Sequence, residues 1–322
     1  ELIVNKDYAD AVMTIEACRN SASVTLDIAS GTGTYSWAQG YAGGIAGYAY
    51  TSADYDSTLT ISNCINDATG LTLNVVGYGS ARSYLGGIVG SADAYSYESS
   101  ESAVGTLIIK GSVNMAQIAA TAEQGNTGAT MHNTGCIAGG IVGYTQDTAT
   151  IISCYNRGSV AALGNANYYA GGIVGYVSEI GNISSCYSTG EITSSGNSDE
   201  NIGGVVGYLY DGAVSDCYWL TGTASAAEGT LSPTSADANC IEKSVIELQS
   251  GDIITSLNIT STAAASLYGV LDMPIWEQAP DLATNGGYPV LLQDSLSNDA
   301  TLSGLTASGI AFTPNFESTV TN

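Results

Sequence analysis

Gly171-Gly172-Ile173-Val174-Gly175-Tyr176, followed by Ile183-Ser184-Ser185-Cys186-Tyr187, decides the fold, because the same two phrases return in the same order along most of the chain. A Gly-Gly-aliphatic-x-Gly phrase begins at Gly43, Gly86, Gly139, Gly171 and Gly203. An aliphatic-x-x-Cys phrase ends at Cys18, Cys64, Cys154, Cys186 and Cys217, with Ser112 taking the remaining place after Ile109. One unit of this kind cannot bury its own apolar face, so it must stack on its neighbours. The expected fold is all-β: a parallel β-helix of about six coils, right-handed because parallel crossovers are strongly biased to that hand, with a C-terminal cap containing one short helix.

Spacing separates scaffold from decoration. From Gly139 to Gly171 and on to Gly203 the step is 32 residues, against 43 from Gly43 to Gly86 and 53 from Gly86 to Gly139. The extra residues fall chiefly at Ala49 to Ser57, Ser91 to Gly105 and Thr121 to Gly135. They are expected to loop out of the first coils, and loops on a rigid stack are where binding usually resides. Between them, Ile151 to Asn156 alternates small or apolar with polar or aromatic residues and reads as a strand. Two places past the cysteines stand Asn20, Asn66, Asn114 and Asn156, then Ser188. Asn tolerates left-handed corners, and stacked amides can bond up a ladder.

Composition bounds the function. Six Lys and Arg against 30 Asp and Glu give a formal charge of −24, which repels phosphate backbones and anionic lipid. Nucleic-acid binding is excluded on that ground, and no stretch of about 18 apolar residues is present to span a bilayer. With only 11% charged residues, the chain is a low-lysine, β-rich sequence of extracellular character. Cysteines at equivalent places of adjacent parallel strands lie roughly 4.8 Å apart, too far for good disulfide geometry, so a column of buried thiols is expected. Cys136 and Cys240 lie outside that column, and their pairing stays open.

After Gly222 the texture changes. Residues 223–293 read as a cap over the end of the solenoid: a helix within Lys243 to Asn258, then Trp276, and a turn and strand from Asn285 to Leu292. Residues 294–322 alternate as short strands.

GGIAGY at Gly43, GGIVGY at Gly139 and Gly171, and GGVVGY at Gly203, with ISNCIN, IISCYNRGSV and ISSCYSTGEI, resemble the GLUG motif of large bacterial surface proteins and certain immunoglobulin-cleaving surface peptidases. NDATLSGLTASGIAFTPNF resembles the opening of a cadherin-like bacterial sandwich domain. The resemblance implies a solenoid over residues 1–222 in an adhesin-like, wall-attached surface protein. It carries no catalytic residues over.

His132 is the only histidine, which leaves no paired-His metal site and no Ser-His-Asp set. Asp54 with Asp56, or Asp199 with Glu200, are the carboxylates that a glycoside hydrolase or lyase on this scaffold would use, and that enzyme is the alternative function. No cofactor is required. Calcium would suit loop carboxylates at Asp54, Asp56, Asp93 and Glu98, and a calcium-dependent assembly module is a second alternative; solvated charge is the simpler account. Tyrosine is abundant, with 21 copies against two Phe. Tyr155, Tyr187 and Tyr218, like Tyr48, Tyr144, Tyr176 and Tyr208, fit stacked ladders that stabilise sheets. Tyr50, Tyr55, Tyr95 and Tyr97 sit on insertions beside Asp54 and Asp56 and suit a glycan or a partner protein. The leading expectation is a non-enzymatic stalk or adhesion segment that binds through these loops.

Overall fold

The computed structural model describes residues 2–4, 11–32, 36–53, 57–96, 105–125, 135–164, 167–179, 181–195, 201–232, 236–238, 240–268 and 275–292. One bare winding consists of Asn167–Gly171, Val174–Val177, Gly181–Ser184, Tyr187–Ser188 and Ile192–Ser194. Each such strand pairs in parallel with its counterpart one winding before and after. The result is five parallel sheets: A, starting with Leu2–Val4; B, with Ala11–Glu16; C, with Arg19–Asn20; D, with Val24–Ala29; and E, with Trp37–Gly43. The chain is a parallel β-helix. Its columns follow the phrases, with Ile61, Ile109, Ile151, Ile183 and Val214 in register, and likewise Gly43, Gly86, Gly139, Gly171 and Gly203.

Sheets A, B and C hold seven strands each, D and E five. The extra winding is Glu228–Leu231, Ala236–Ala238 and Ile241–Lys243, so the stack runs past the expected boundary at residue 222. This winding lacks the Gly phrase that marks the other windings in the sequence. Cys240 belongs to it, standing before Ile241 as Cys217 stands before Tyr218, its register partner.

Insertions in the first coils are partly strand. Ala46–Ala53 and Val89–Ser96 in sheet A, and Gln117–Gln124 in sheet D, have eight residues each, where Val174–Val177 has four. Their two-residue alternation continues, as in Gln117–Gln124 with every second residue buried, so they go on pairing rather than looping out.

Sheets B and C meet at a corner made by the residue before each thiol: Ala17, Asn63, Ser153, Ser185 and Asp216 have φ between 47° and 57°. The expected left-handed asparagines are therefore one corner off; Asn66, Asn114 and Asn156 keep ordinary backbone and are fully buried. Each of four column thiols donates to the carbonyl two residues before it, Cys64 to Ser62, Cys154 to Ile152, Cys186 to Ser184 and Cys217 to Ser215, at 3.1–3.4 Å, a carbonyl that also accepts a backbone amide from the neighbouring winding. Ser112 makes the same bond to Lys110 at 3.1 Å, which explains the exchange of residue types. None of the seven cysteines forms a disulfide, Cys136 and Cys240 included.

The asparagines divide the core. Asn20 Nδ2 donates to Asn66, Asn66 to Asn114 and Asn114 to Asn156 at 2.8–3.0 Å, and Asn156 donates to Ser188 Oγ at 3.3 Å. Opposite them lies the second glycine of each phrase: a Cβ on Gly140 would stand 2.4 Å from Asn156 Cγ and 2.1 Å from the Gly172 carbonyl. Only a residue without a side chain lets the wall come this close. One apolar cluster, with Ile61, Ile109 and Val142, fills the space under sheets A and B; a second, with Leu73, Leu85 and Ala138, fills that between D and E.

The C-terminal segment does not cover the end. Val245–Ser250 and Ile254–Tyr268 are helices separated at Gly251, whose φ is 85°, and Trp276–Gln278 pairs antiparallel with Pro289–Leu291. Leu248, Ile253, Leu257, Trp276 and Leu291 pack on Val113, Tyr155, Tyr187 and Tyr218, the outer face of sheet C. This outward tyrosine column is itself apolar surface, and the segment buries it along the flank. Tyr187 Oη donates to the Pro289 carbonyl at 2.6 Å and accepts from Asn285 Nδ2 at 2.8 Å. Trp219 stands in the asparagine column next to Ser188, buried in the apolar cluster under sheets A and B.

Candidate functional site

The second glycine draws the wall inward where sheets E and A adjoin, and there the outward side chains of the two sheets come together. Outward side chains of two sheets normally diverge; here they meet. Tyr41 of sheet E lies 5.1 Å from Tyr48 of sheet A, Tyr84 lies 5.3 Å from Tyr144, and Tyr169 lies 5.0 Å from Tyr176 (ring centroids). Along the stack, Tyr41 lies on Tyr84 at 5.0 Å, Tyr144 on Tyr176 at 5.5 Å and Tyr176 on Tyr208 at 4.8 Å. The third glycine of the phrase allows the approach: a Cβ on Gly143 would stand 2.9 Å from backbone atoms of Leu85. At the first winding the stripe ends in a groove of about 490 Å³ lined by Ile28, Ala29, Ser30, Trp37, Ala38, Gln39 and Tyr41. Trp37 there is 67% exposed, and Gln39 donates to the Tyr41 hydroxyl.

Carboxyl groups border the stripe. Tyr48 Oη donates to Asp93 Oδ2 at 3.1 Å. Asp93 and Asp147 are in hydrogen-bonding contact, and Asp147 also bonds Glu179. Burial, then the Glu179 carboxylate, pushes Asp147 up to about 7; burial likewise raises Asp93. Carboxyls in such contact share protons and lie closer than the 5–9.5 Å separation that glycoside hydrolysis uses, as a rough guide. Burial and neighbouring phenols lift Tyr41 and Tyr176 to about 12, and Tyr48 also rises. Arg82 reaches the stripe by bonding Tyr84.

Of the expected contact residues, Tyr50 and Asp93 lie on strands, not loops, and Tyr50 stacks on Tyr48 at 6.0 Å. The backbone of Tyr95 is also strand, paired with Ser52. Asp54, Tyr55, Asp56, Tyr97, Glu98, His132, Asp199 and Glu200 lie outside the described residues, as does segment 294–322. Among the described residues no group of three or more His, Cys, Asp or Glu side chains is arranged to hold a metal ion, and no helix is long and apolar enough to cross a membrane. Trp37 and Asp147 were missed. Trp37 had a signal, an aromatic beside Tyr35 in a Gly, Ser and Thr stretch; Asp147 had none, since its carboxyl partners come from other windings.

Residues 166–193 match the family described as the GLUG motif. That span runs from the sheet E strand Asn167–Gly171 to Ile192 at the start of the sheet D strand, so the motif corresponds to one winding of the helix. No curated protein matches the chain, and no solved structure does.

Proposed function

We propose that the chain is a non-enzymatic, extended binding segment of a bacterial surface protein, which holds a glycan or a partner protein against the flank of its first coils. The observation that carries this reading is the uncovered tyrosine stripe. The chain covers one tyrosine column, Tyr155 and Tyr187, with its own Trp276, yet leaves Tyr41, Tyr48, Tyr50, Tyr144, Tyr176 and Tyr208 half-exposed beside carboxyl groups. Tyrosine surfaces of this kind give large contact area at low entropic cost. The match of residues 166–193 to the GLUG motif, the acidic balance and the low lysine content support an extracellular place on the cell surface.

Glycan and host-protein arrays, probed with the wild type and with Tyr50→Ala, test the reading. A ligand whose signal drops in the variant supports it. Blank arrays, with the folded state verified by circular dichroism, leave only a stalk.

A further inference from the structure

We propose that the two ends of the cysteine column, Cys18 with Cys64 and Cys217 with Cys240, are sites for a soft cation that takes two thiolates in line, of the monovalent copper or silver class.

The pairs follow from register. Arg19 lies beside Ile65 and Tyr218 beside Ile241, which places Cys18 next to Cys64 and Cys217 next to Cys240 in adjacent windings. The side chains of each pair are in hydrogen-bonding contact, and Cys217 also touches Cys186. Ser112 takes the place between Cys64 and Cys154, so the column falls into two runs, one of two thiols and one of four.

Spacing selects the ligand. Equivalent residues of adjacent strands are about 4.8 Å apart, beyond the Cβ separation of about 3.8 Å that a disulfide prefers. A metal–thiolate bond is about 2.3 Å, with zinc as the guide, so two such bonds in line span about 4.6 Å and fit the gap. Among the described residues no three metal-ligating side chains converge, so tetrahedral zinc finds no cage, whereas a linear cation needs two thiolates and prefers them to oxygen.

The sulfurs are prepared for it. Each buried sulfur accepts a backbone amide from the winding before: Cys154 N donates to Cys186 Sγ at 3.4 Å, and Cys18 N and Cys186 N donate likewise to Cys64 and Cys217. Amides aimed at sulfur stabilise the thiolate that a bound cation requires. Binding replaces the two thiol protons, which leave to solvent, so a monovalent cation between two thiolates carries one net negative charge. Burial opposes that charge at the inner pair Cys154 and Cys186. Cys18 is exposed and Cys240 half-buried, so the end pairs hold the charge within reach of water and give the cation its way in.

Native mass spectrometry of the reduced full chain with Ag(I), and with Zn(II) as the tetrahedral control, tests the proposal. The expected result is one Ag(I) retained at each end of the column after buffer exchange, more at higher pH because protons leave, and no Zn(II). The deciding variants are Cys64→Ser and Cys217→Ser, which remove the buried partner and leave the accessible thiols of Cys18 and Cys240 in place. Serine suits this position, since Ser112 makes the same carbonyl bond in the column. Each variant should lose one Ag(I), whereas Cys136→Ser, outside the column, should lose none. X-ray absorption of the wild-type silver complex counts the ligands without any substitution, so the test stands if a variant fails to fold; two sulfurs per silver are expected. No uptake of Ag(I), equal uptake of Zn(II), uptake unchanged in both Cys64→Ser and Cys217→Ser, or a single sulfur per silver overturns the proposal, the last two outcomes marking simple adducts of exposed thiols.

Discussion

Ser188 pairs in register with Trp219, and that one change of side chain ends the asparagine column. Every earlier place in the column holds a group small enough to face a glycine and polar enough to bond the next winding. At Trp219 the indole fills the space, buried against the last winding, and a Cβ on Gly204 would lie 2.3 Å from its ring. The column thus pins the wall inward along its length, up to the indole that ends it.

Removing one amide should break the column. Asn114 accepts from Asn66, donates to Asn156 and bonds both the amide and the carbonyl of Ala116. Asn114→Ala strands several buried groups and is expected to cost about 2–4 kcal/mol by urea denaturation. Asn20→Ala, at the half-buried end, should cost about 1 kcal/mol or less.

Gly140→Ala tests the close approach. Its new methyl meets the Gly172 carbonyl and Asn156, neither of which can move without shifting a rung, so a loss of about 3 kcal/mol or a failure to fold is expected. Gly31→Ala, with nothing within 4 Å, should stay within about 0.5 kcal/mol of the wild type. Equal stability of the two variants would refute the steric account.

Asp147 gives a pH signature. Its folded pKa of about 7 stands above the unfolded value near 3.8, so between these limits the folded state binds more protons than the unfolded one. Its contribution is fully present below about pH 4 and is lost as pH rises to about 7. Asp147→Asn should therefore melt at the wild-type temperature or lower at pH 4, and gain on the wild type by about 1–3 °C at pH 8, the figure discounted for solvent screening. A wild-type-to-variant difference that is flat across this range would show that the carboxyls do not share protons.

Thiol reactivity should follow the column. Cys18 is exposed, whereas burial raises Cys64 and Cys136 to about 11 and holds Cys186 and Cys217 well above the usual thiol range. Brief native iodoacetamide treatment with mass spectrometry should label Cys18 and spare those four until the chain unfolds.

Trp276→Ala should expose the sheet C tyrosines. Trp276 is buried and its ring lies 6.0 Å from Tyr155 and 5.6 Å from Tyr187, so truncation is expected to cost about 3–5 kcal/mol, with faster hydrogen exchange over 245–292. A segment that merely rested on the flank would lose almost nothing.

Much of the fold was legible because each signal was local and repeated. Ile151 to Cys154 and Ile183 to Cys186 announce the same strand and corner, and parallel register then superposes them. Asp93, Asp147 and Glu179 were not legible as a group, because nothing within one winding says which residue of the next lies beside it once insertions change the spacing. Residues 245–292 were readable as helix, turn and strand, yet their place on the flank was not: a Trp and several Leu suit an end or a side equally well.

By itself the sequence determined that the chain winds into stacked parallel strands, since an apolar phrase repeated in fixed order has no other way to leave water. Tertiary structure alone decided that the core is cut in two, that the outward tyrosines of sheets E and A meet, and which tyrosine column is covered. Those outcomes depend on approaches between windings, such as that of Gly140 to Asn156, where an added Cβ would lie 2.4 Å from Asn156 Cγ, and such approaches are fixed only when the windings pack.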